Sequence, residues 1–202
     1  MHKIKNIRFQ LLADFRKPLK KVIFDYFHNG RQKWISQEKE IYERGDAAAV
    51  LLYHSVRQTV ILTRQFRLPV YLKDGAPGQL TEVCAGMLDG GQPEDCIRKE
   101  IMEETGYIVH TVKKIAEAYT SPGAITEKIH LFIAEYSPSA KAGPGGGLPS
   151  ENEDIEVIEI PFREAWSMLE QGAIRDMKTI VLLQYARIHR LCPGNPQECA
   201  GT

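Results

Sequence analysis

Residues 86–107 read GMLDGGQPEDCIRKEIMEETGY, and this stretch decides the fold because it joins a strand, a loop and a helix. The segment before it, QLTEVCAGML, indicates a buried strand that ends at Gly86. DGGQPEDC then supplies loop and helix-start signals, since proline suits the first turn of a helix. The pattern predicts a helix from about 93 to 105, stopped by Gly106.

Three acidic side chains share one side of this predicted helix. Glu100 and Glu104 lie one turn apart with Glu103 beside them, and the apolar stripe of Ile97 and Ile101 runs next to them. Like charges at this spacing repel by roughly a few tenths of a kcal/mol, and partial burial increases the cost. A divalent cation would relieve the repulsion, because Mg²⁺ is usually held by one or two carboxylates with phosphates and waters. The alternative interpretation of these three acids is a solvated acidic face near the start of a helix, where negative charge is favoured.

The same stretch resembles the signature of the Nudix hydrolases. In that signature a Gly, a short loop and a Glu precede Arg-Glu-apolar-x-Glu-Glu-x-Gly-apolar. The matching positions are Gly86, Lys99, Glu100, Ile101, Glu103, Glu104, Gly106 and Tyr107. Two positions depart from it: Lys99 replaces the usual Arg, and Gln92 replaces the loop Glu, with one residue fewer between them.

The resemblance covers roughly residues 35 to 190. EIYERGDAAAVLLY, ILTRQFRLPV, AYTSPGAITEKIHLFIAEY, GGGLPSENEDIEVIEIPF and IRDMKT look like the nucleoside-diphosphate-sugar branch, and most like its GDP-mannose pyrophosphatases. Pro122 in TSPG also marks the ADP-ribose pyrophosphatases. The resemblance implies an α/β (α+β) fold, the Nudix α/β/α sandwich around a mixed sheet with a small N-terminal β domain.

The resemblance also implies the metal ligands. They are Glu100, Glu104 and the backbone carbonyl of Ala85, with Glu151 from the loop LPSENEDIE as a fourth ligand or as the general base. A solvated acidic loop is the alternative for Glu151, because residues 151–159 hold five acids and no base. The glycines of residues 143–147 predict a flexible loop that closes over substrate.

A diphosphate carries about two negative charges, so a cation is expected to face the carboxylates. Arg67 in RQFR is the candidate, and Arg64 is the alternative. The resemblance adds further substrate-binding positions, with surface charge as the other interpretation of Glu127 and Lys178. These positions are Glu38, Lys39, Glu40, Gly86, Met87, Glu127, Ser150 and Lys178.

Hydrophobic periodicity predicts the remaining organisation. Residues 1–44 alternate apolar and polar positions, which is typical of an antiparallel meander, here taken as a dimerisation domain. A hydrolase domain is expected over residues 45–192 and a polar tail over 193–202. Within the hydrolase domain we expect a hairpin of the two apolar runs DAAAVLLYH (46–54) and QTVILTRQFR (58–67), and then a mobile loop in LPVYLKDGAPGQ, which is rich in Pro and Gly.

Composition excludes several classes of protein. The chain has 202 residues with 26 Lys and Arg against 26 Asp and Glu, so it lacks the overall basic field of a nucleic-acid binder. No apolar run approaches the roughly 20 residues of a membrane-spanning helix, and no signal peptide is predicted. The irregular spacing of Cys84, Cys96, Cys192 and Cys199 indicates free thiols. We therefore expect a cytoplasmic protein with no nucleic-acid or membrane partner.

The expected function is Mg²⁺-dependent hydrolysis of a nucleoside diphosphate sugar by a homodimer, with Mn²⁺ as the alternative metal. GDP-mannose, giving GMP and mannose 1-phosphate, is the first substrate candidate. ADP-ribose, giving AMP and ribose 5-phosphate, is the second. The alternative from a different class is a non-catalytic nucleotide-sugar sensor, which the presence of all three helix carboxylates disfavours.

Overall fold

The computed structural model describes residues 3–193, which divide into two compact units. The first unit consists of the residues up to Asp46 together with Ala118–Ile129. The second consists of Ala47–Glu117 and the described residues from His130 onward. The segment 118–129, which we predicted to lie in the hydrolase domain, is thus grouped with the N-terminal strands.

The first unit is built on a three-stranded antiparallel sheet. Its strands are β1 (Ile4–Asp14), β2 (Pro18–His28) and β3 (Lys33–Tyr42), in that order. The meander predicted from the alternating pattern is therefore present. Strand β1 is exposed along its whole length, so the apolar members of its alternating sequence face solvent in the single chain.

The remaining strands and the α-helices of residues 3–193 follow in chain order. They are β4 (Ala47–His54), β5 (Thr59–Phe66), α1 (Leu68–Asp74), β6 (Gln79–Glu82), β7 (Cys84–Met87), α2 (Pro93–Glu100), β8 (Lys113–Tyr119), β9 (Lys128–Glu135), β10 (Ile155–Pro161), α3 (Phe162–Glu170) and α4 (Met177–Ile188).

These strands form one mixed, seven-stranded sheet. The order β10-β5-β4-β9-β8 forms the path, with β6 paired to β5 and β7 paired to β4. The β4–β5 hairpin is paired near its turn, from Leu52↔Ile61 to His54↔Thr59. Beyond that point β5 pairs with β6 and β4 pairs with β7, so the segment 79–87 continues the sheet where the hairpin strands separate.

Helices cover the two faces of strand β4. Successive side chains of a strand point to opposite faces. Ala48, Val50 and Leu52 belong to the core cluster that contains Ile97 and Ile101 of the helix after β7. The intervening residues of β4 therefore point to the other face, and α4 also packs against this strand. This is the α/β/α arrangement expected from the sequence.

The segment 68–79 differs from the prediction of a mobile loop. It begins with the helix α1, whose first turn contains Pro69, and only the part after Asp74 is a loop. Proline has a fixed φ that suits the first turn of a helix, so it starts this helix rather than excluding one. The ring of Tyr71 packs against Phe66 with centroids 5.9 Å apart, which anchors the helix to the end of β5.

Three other expectations concern the termini, the thiols and membranes. Apart from Pro193, the predicted polar tail lies outside the described residues, as does Cys199. Cys84, Cys96 and Cys192 are free thiols, as expected. Within residues 3–193, no helix has the length and apolar character needed to cross a membrane.

Candidate active site

The helix that carries the acidic motif is fixed at both ends by its sequence. It begins with Pro93 after the extended Gln92 and is followed by Gly106, whose φ of 76° lies in the left-handed region that favours glycine. Ile97 and Ile101 are fully buried against the sheet. This burial brings the neighbouring Glu100 and Glu104 to the edge of the core, as the sequence predicted.

The second half of this helix is not a regular α-helix. The α-helical part ends at Glu100, and residues Ile101–Thr105 form one π-helical turn. The hydroxyl of Thr105 donates to the carbonyl oxygen of Ile101 at 2.5 Å, which occupies an acceptor that the backbone would otherwise use. The predicted range of 93–105 is correct, but periodicity did not predict the π-helical turn at its end.

Glu104 is a buried carboxylate, with 5% of its surface exposed. Its Oε2 accepts a hydrogen bond from the Ala85 backbone nitrogen at 3.2 Å. Burial is the main reason that its pKa is raised to about 7, and the charge of Glu100 adds to the effect. Burial likewise raises the pKa of the neighbouring Cys84 thiol well above its ordinary value, so this thiol stays protonated beside the carboxylate.

Glu100 is held against the last strand before the motif loop. A Cβ atom added to Gly86 would lie 2.0 Å from the carboxyl carbon of Glu100, so only glycine allows this approach. Burial first and the charge of Glu103 second raise the pKa of Glu100 to about 7. Both motif carboxylates therefore resist ionisation in the absence of a nearby cation.

The donor set suits a hard divalent cation. Two carboxylates and backbone oxygens are the ligands such cations prefer, and their mutual repulsion is the strain that a cation removes. Over the described range, no three His, Cys, Asp or Glu side chains are gathered closely enough to hold a metal by themselves. Glu100 and Glu104 thus fit a cation that also takes oxygens from the backbone, substrate phosphates or water.

The glycine-rich loop is bound to the end of this helix. The backbone nitrogens of Gly146 and Gly147 donate to the carbonyl oxygens of Glu104 and Glu103 at 2.8 and 3.0 Å. A Cβ atom on Gly145, whose φ is +72°, would lie 2.6 Å from the Glu104 carbonyl oxygen. The glycines therefore allow the loop to pack closely against the helix end.

This loop brings two more acids into the field of the helix carboxylates. Glu151 is exposed at the end of the short turn Pro149–Glu151, and its charge contributes to the raised pKa of Glu100. Glu153 raises the pKa values of both Glu100 and Glu104. Its Oε2 accepts from the Leu148 nitrogen at 2.9 Å, so it also shapes the loop. The sequence offered Glu153 only as one of several loop acids, and we did not select it.

Two cations meet at one buried carboxylate in the second unit. Arg67 Nε lies 2.6 Å from Glu82 Oε2, and Lys178 Nζ lies 2.5 Å from Glu82 Oε1. Lys178 also lies 2.9 Å from Asp176 Oδ1. Arg64, the alternative to Arg67, forms an exposed ion pair with Glu156 at 3.1 Å. The predicted cations Arg67 and Lys178 are therefore brought together, and Glu82, which joins them, was missed.

The other predicted substrate-binding residues are distributed over both units. Glu38, Lys39 and Glu40 lie on strand β3 in the first unit, where Glu38 pairs with Lys21 at 2.5 Å. Glu127 also lies in the first unit and is buried, with its carboxylate bonded to Arg44 at 2.8 Å and to Thr120 at 2.8 Å.

Three further candidates lie in the second unit. Gly86 and Met87 end strand β7, and the Met87 carbonyl oxygen accepts from the Cys96 thiol at 3.1 Å. Ser150 is exposed beside Glu151. Surface charge, the alternative interpretation of Glu127 and Lys178, does not describe either side chain, because the first is buried and the second is mostly covered.

Comparison with known proteins gives a consistent result over most of the chain. The model of the NUDIX domain matches residues 43–183. A protein of Pectobacterium atrosepticum named GDP-mannose pyrophosphatase is 51% identical over 180 residues, 89% of this chain and 91% of the relative. Proteins of the same name from Yersinia enterocolitica and Salmonella arizonae are 49% and 48% identical, over 94% and 92% of this chain and 97% and 95% of the relatives.

Proposed function

Since the chain belongs to the Nudix family, we propose that it hydrolyses GDP-mannose to GMP and mannose 1-phosphate in a Mg²⁺-dependent reaction. The main support is the pair of mutually repelling carboxylates at the helix edge, the buried Glu104 and the half-buried Glu100. The substrate is supported by relatives of nearly the same length that are 46–51% identical and bear the name GDP-mannose pyrophosphatase.

Nudix pyrophosphatases generally use divalent metal ions, and Mg²⁺, or Mn²⁺ in its place, is our proposal for this chain. Glu100, Glu104, Glu151 and the Ala85 carbonyl oxygen would hold the metal. When bound, it polarises the diphosphate oxygens and lowers the pKa of a coordinated water. The raised pKa values of Glu100 and Glu104 support this assignment, because a carboxylate pair that is costly to ionise alone gains most from a cation.

Glu151 is the candidate for handling the proton of the attacking water. It is exposed, so water has access to it, and its loop is bonded to the helix that carries Glu104. A carboxylate positioned in this way accepts a proton from the water as that water attacks phosphorus. The alternative role of Glu151, as a metal ligand, predicts that Glu151→Gln weakens metal binding as well as turnover. If Glu151 is the general base, Glu151→Gln lowers turnover and leaves metal binding unchanged.

Arg67 and Lys178 are proposed to contact the diphosphate. Both side chains are oriented by one carboxylate. Cations placed next to the phosphate oxygens stabilise the negative charge of the transition state of this reaction. Glu38, Lys39, Glu40, Gly86, Met87, Glu127 and Ser150 are proposed to complete the binding of nucleotide and sugar. Substitution of Arg67 by Ala is then expected to reduce kcat/KM, whereas the same change at Arg64 leaves it near the wild-type value.

We also propose that the protein is a homodimer assembled through its N-terminal strands, which would form a dimerisation domain over residues 1–44. The observation is the row of large apolar side chains that strand β1 leaves exposed. They are Ile4, Ile7, Phe9, Leu11 and Leu12. Exposed apolar groups in this number on one strand are typical of a surface that is covered by a partner.

We propose that the protein is cytoplasmic. Cys84, Cys96 and Cys192 are free thiols, which agrees with a reducing compartment. Fractionation of cells that express the chain, followed by detection of the protein in each fraction, tests this location.

The activity is tested by hydrolysis of a panel of GDP-mannose, GDP-glucose, ADP-ribose and ADP-glucose, with Mg²⁺ and with chelator. We expect release of GMP from GDP-mannose with the highest kcat/KM. A kcat/KM for ADP-ribose that is tenfold higher than that for GDP-mannose would show that ADP-ribose is the substrate of this hydrolase. Absence of turnover on all four would support a nucleotide-sugar sensor instead.

A further inference from the structure

Glu82 is an acidic residue in a place where a carboxylate is costly. It ends strand β6 and is 4% exposed, yet its two oxygens each contact a different cation, Arg67 and Lys178. Removing a carboxylate from water costs free energy that only well-placed partners offset. A buried Glu that joins two cations therefore fixes the positions of both head groups.

The residues around Glu82 hold this arrangement in place. Asp176 contacts Lys178 and also caps helix α4, because its Oδ2 accepts from the Thr179 nitrogen at 2.9 Å. The hydroxyl oxygen of Thr179 accepts in turn from the Val83 nitrogen at 2.8 Å. The start of α4 is thus tied to the residue next to Glu82.

The backbone of Arg67 is fixed in a similar way. Its nitrogen donates to the Gly78 carbonyl oxygen at 2.8 Å, and its carbonyl oxygen accepts from the Tyr71 nitrogen at 3.0 Å. The side chain uses only Nε toward Glu82, and within the described residues its terminal nitrogens make no further ion pair. That outer edge of the guanidinium matches two oxygens of a phosphate group.

We propose that Glu82 is a positioning residue that holds Arg67 and Lys178 as a two-cation clamp for the diphosphate of the substrate. The proposal rests on the proposed function, because it names the group that orients the cations of that same site. Glu82 itself does not touch the substrate. Its contribution is preorganisation, since two long flexible side chains would otherwise have to be ordered when substrate binds.

The direction in which Glu82→Gln changes the affinity for diphosphate distinguishes a positioning role from a purely electrostatic one. Glu82→Gln removes a negative charge beside two cations, so a purely Coulombic effect makes the site bind anions more tightly. If Glu82 positions the cations, the same variant binds diphosphate more weakly despite its more positive charge. A carboxylate with a merely structural role changes the melting temperature and leaves anion affinity unchanged.

The experiment measures the affinity for inorganic diphosphate by calorimetry in the presence of Mg²⁺, for wild type, Glu82→Gln and the control Glu156→Gln. The control removes the same charge from the exposed pair with Arg64. We expect binding that is about five- to tenfold weaker for Glu82→Gln and unchanged for the control. Equal or tighter binding by Glu82→Gln overturns the proposal. Should that variant not fold, Glu82→Asp takes its place, because it keeps the charge but shortens the reach, and binding like wild type would again overturn the proposal.

A double-mutant cycle on turnover gives the second test. If Glu82 acts through the cations, Glu82→Gln lowers kcat/KM about 10- to 100-fold in wild type and much less in an Arg67→Ala background. Effects that simply multiply would contradict the proposal. The two failures remain distinct: a wild type that binds diphosphate but hydrolyses no nucleotide sugar refutes the proposed function, while the calorimetric comparison still decides the role of Glu82.

Discussion

Gly86 and Glu100 are in contact across the start of the motif loop: the space that a Cβ atom of residue 86 would fill is occupied by the carboxyl group of Glu100, 2.0 Å away. The strand therefore supports the carboxylate directly. The glycine at the start of the motif is explained by this contact, because any larger residue displaces Glu100 from its place beside strand β7.

Substitution of Gly86 by Ala tests this relationship. We expect kcat/KM to fall about 100-fold, because displacement of a catalytic group by an ångström has an effect of this size. Steady-state kinetics with GDP-mannose measures it. Gly123→Ala is the matched control, since a Cβ atom there meets nothing within 4 Å. Wild-type activity in Gly86→Ala would show that the position of Glu100 is unimportant.

Stability should depend on pH through the same carboxylates. Burial raises the pKa values of Glu100 and Glu104 from 4.5 to about 7, so the folded state holds these protons more tightly than the unfolded chain. The free energy of unfolding in chelator should then fall as pH rises from about 4.5 to about 7, on the order of 1–3 kcal/mol for Glu104. Urea denaturation at pH 5 and pH 8 measures the change.

Divalent metal and Glu104→Gln give the controls for this pH effect. Mg²⁺ binds the ionised carboxylates, so it should raise the melting temperature more at pH 8 than at pH 5. Glu104→Gln removes one of the two groups, and its stability in chelator should vary less with pH than that of wild type. An equal pH dependence in wild type and variant would refute the assignment of the effect to Glu104.

The glycine-rich loop provides a prediction about packing. Gly145→Ala adds a Cβ atom 2.6 Å from the Glu104 carbonyl oxygen at a φ of +72°, and we expect a loss of about 2–4 kcal/mol in the free energy of unfolding. Gly172→Ala has the same φ with nothing within 4 Å, so it should lose only about 1 kcal/mol. Similar losses in the two variants would mean that contact with the helix end contributes nothing.

The exposed apolar residues on β1 predict that a charged residue introduced on this strand disrupts the proposed dimer. Phe9 is 65% exposed in the single chain, and Phe9→Glu should convert a dimer into monomers in sedimentation analysis. Val56→Glu, at a residue 84% exposed in the turn after β4, is the control and should leave the dimer intact. A monomeric wild type, or a dimer that survives Phe9→Glu unchanged, would argue against assembly through this strand.

Local sequence patterns predicted the elements and the motif because their signals are local. Pro93, the apolar pair Ile97 and Ile101, and Gly106 set the bounds of the motif helix, and the acids follow from its register. The antiparallel strands of the first unit follow equally from alternation along the chain.

Helix α1 was missed because its segment is rich in Pro and Gly, although Pro69 suits the first turn of a helix and Tyr71 packs on the nearby Phe66. Other missed features depend on contacts between residues that are distant in the chain. The glycine-rich loop forms hydrogen bonds to Glu103 and Glu104, about 40 residues earlier in the chain, which local patterns do not predict. The sequence around Glu82 gives no signal of its role, because its partner Lys178 lies far away in the chain and only the folded structure brings the two together.

The proposed metal-dependent activity is tested by Mg²⁺-dependent hydrolysis of GDP-mannose by wild type and Glu104→Gln, followed as release of GMP. We expect turnover by wild type that chelator abolishes, and a loss of at least about 100-fold in the variant, because a metal held by Glu104 would activate the water and the diphosphate. Turnover that persists in chelator, or full activity in Glu104→Gln, would contradict it.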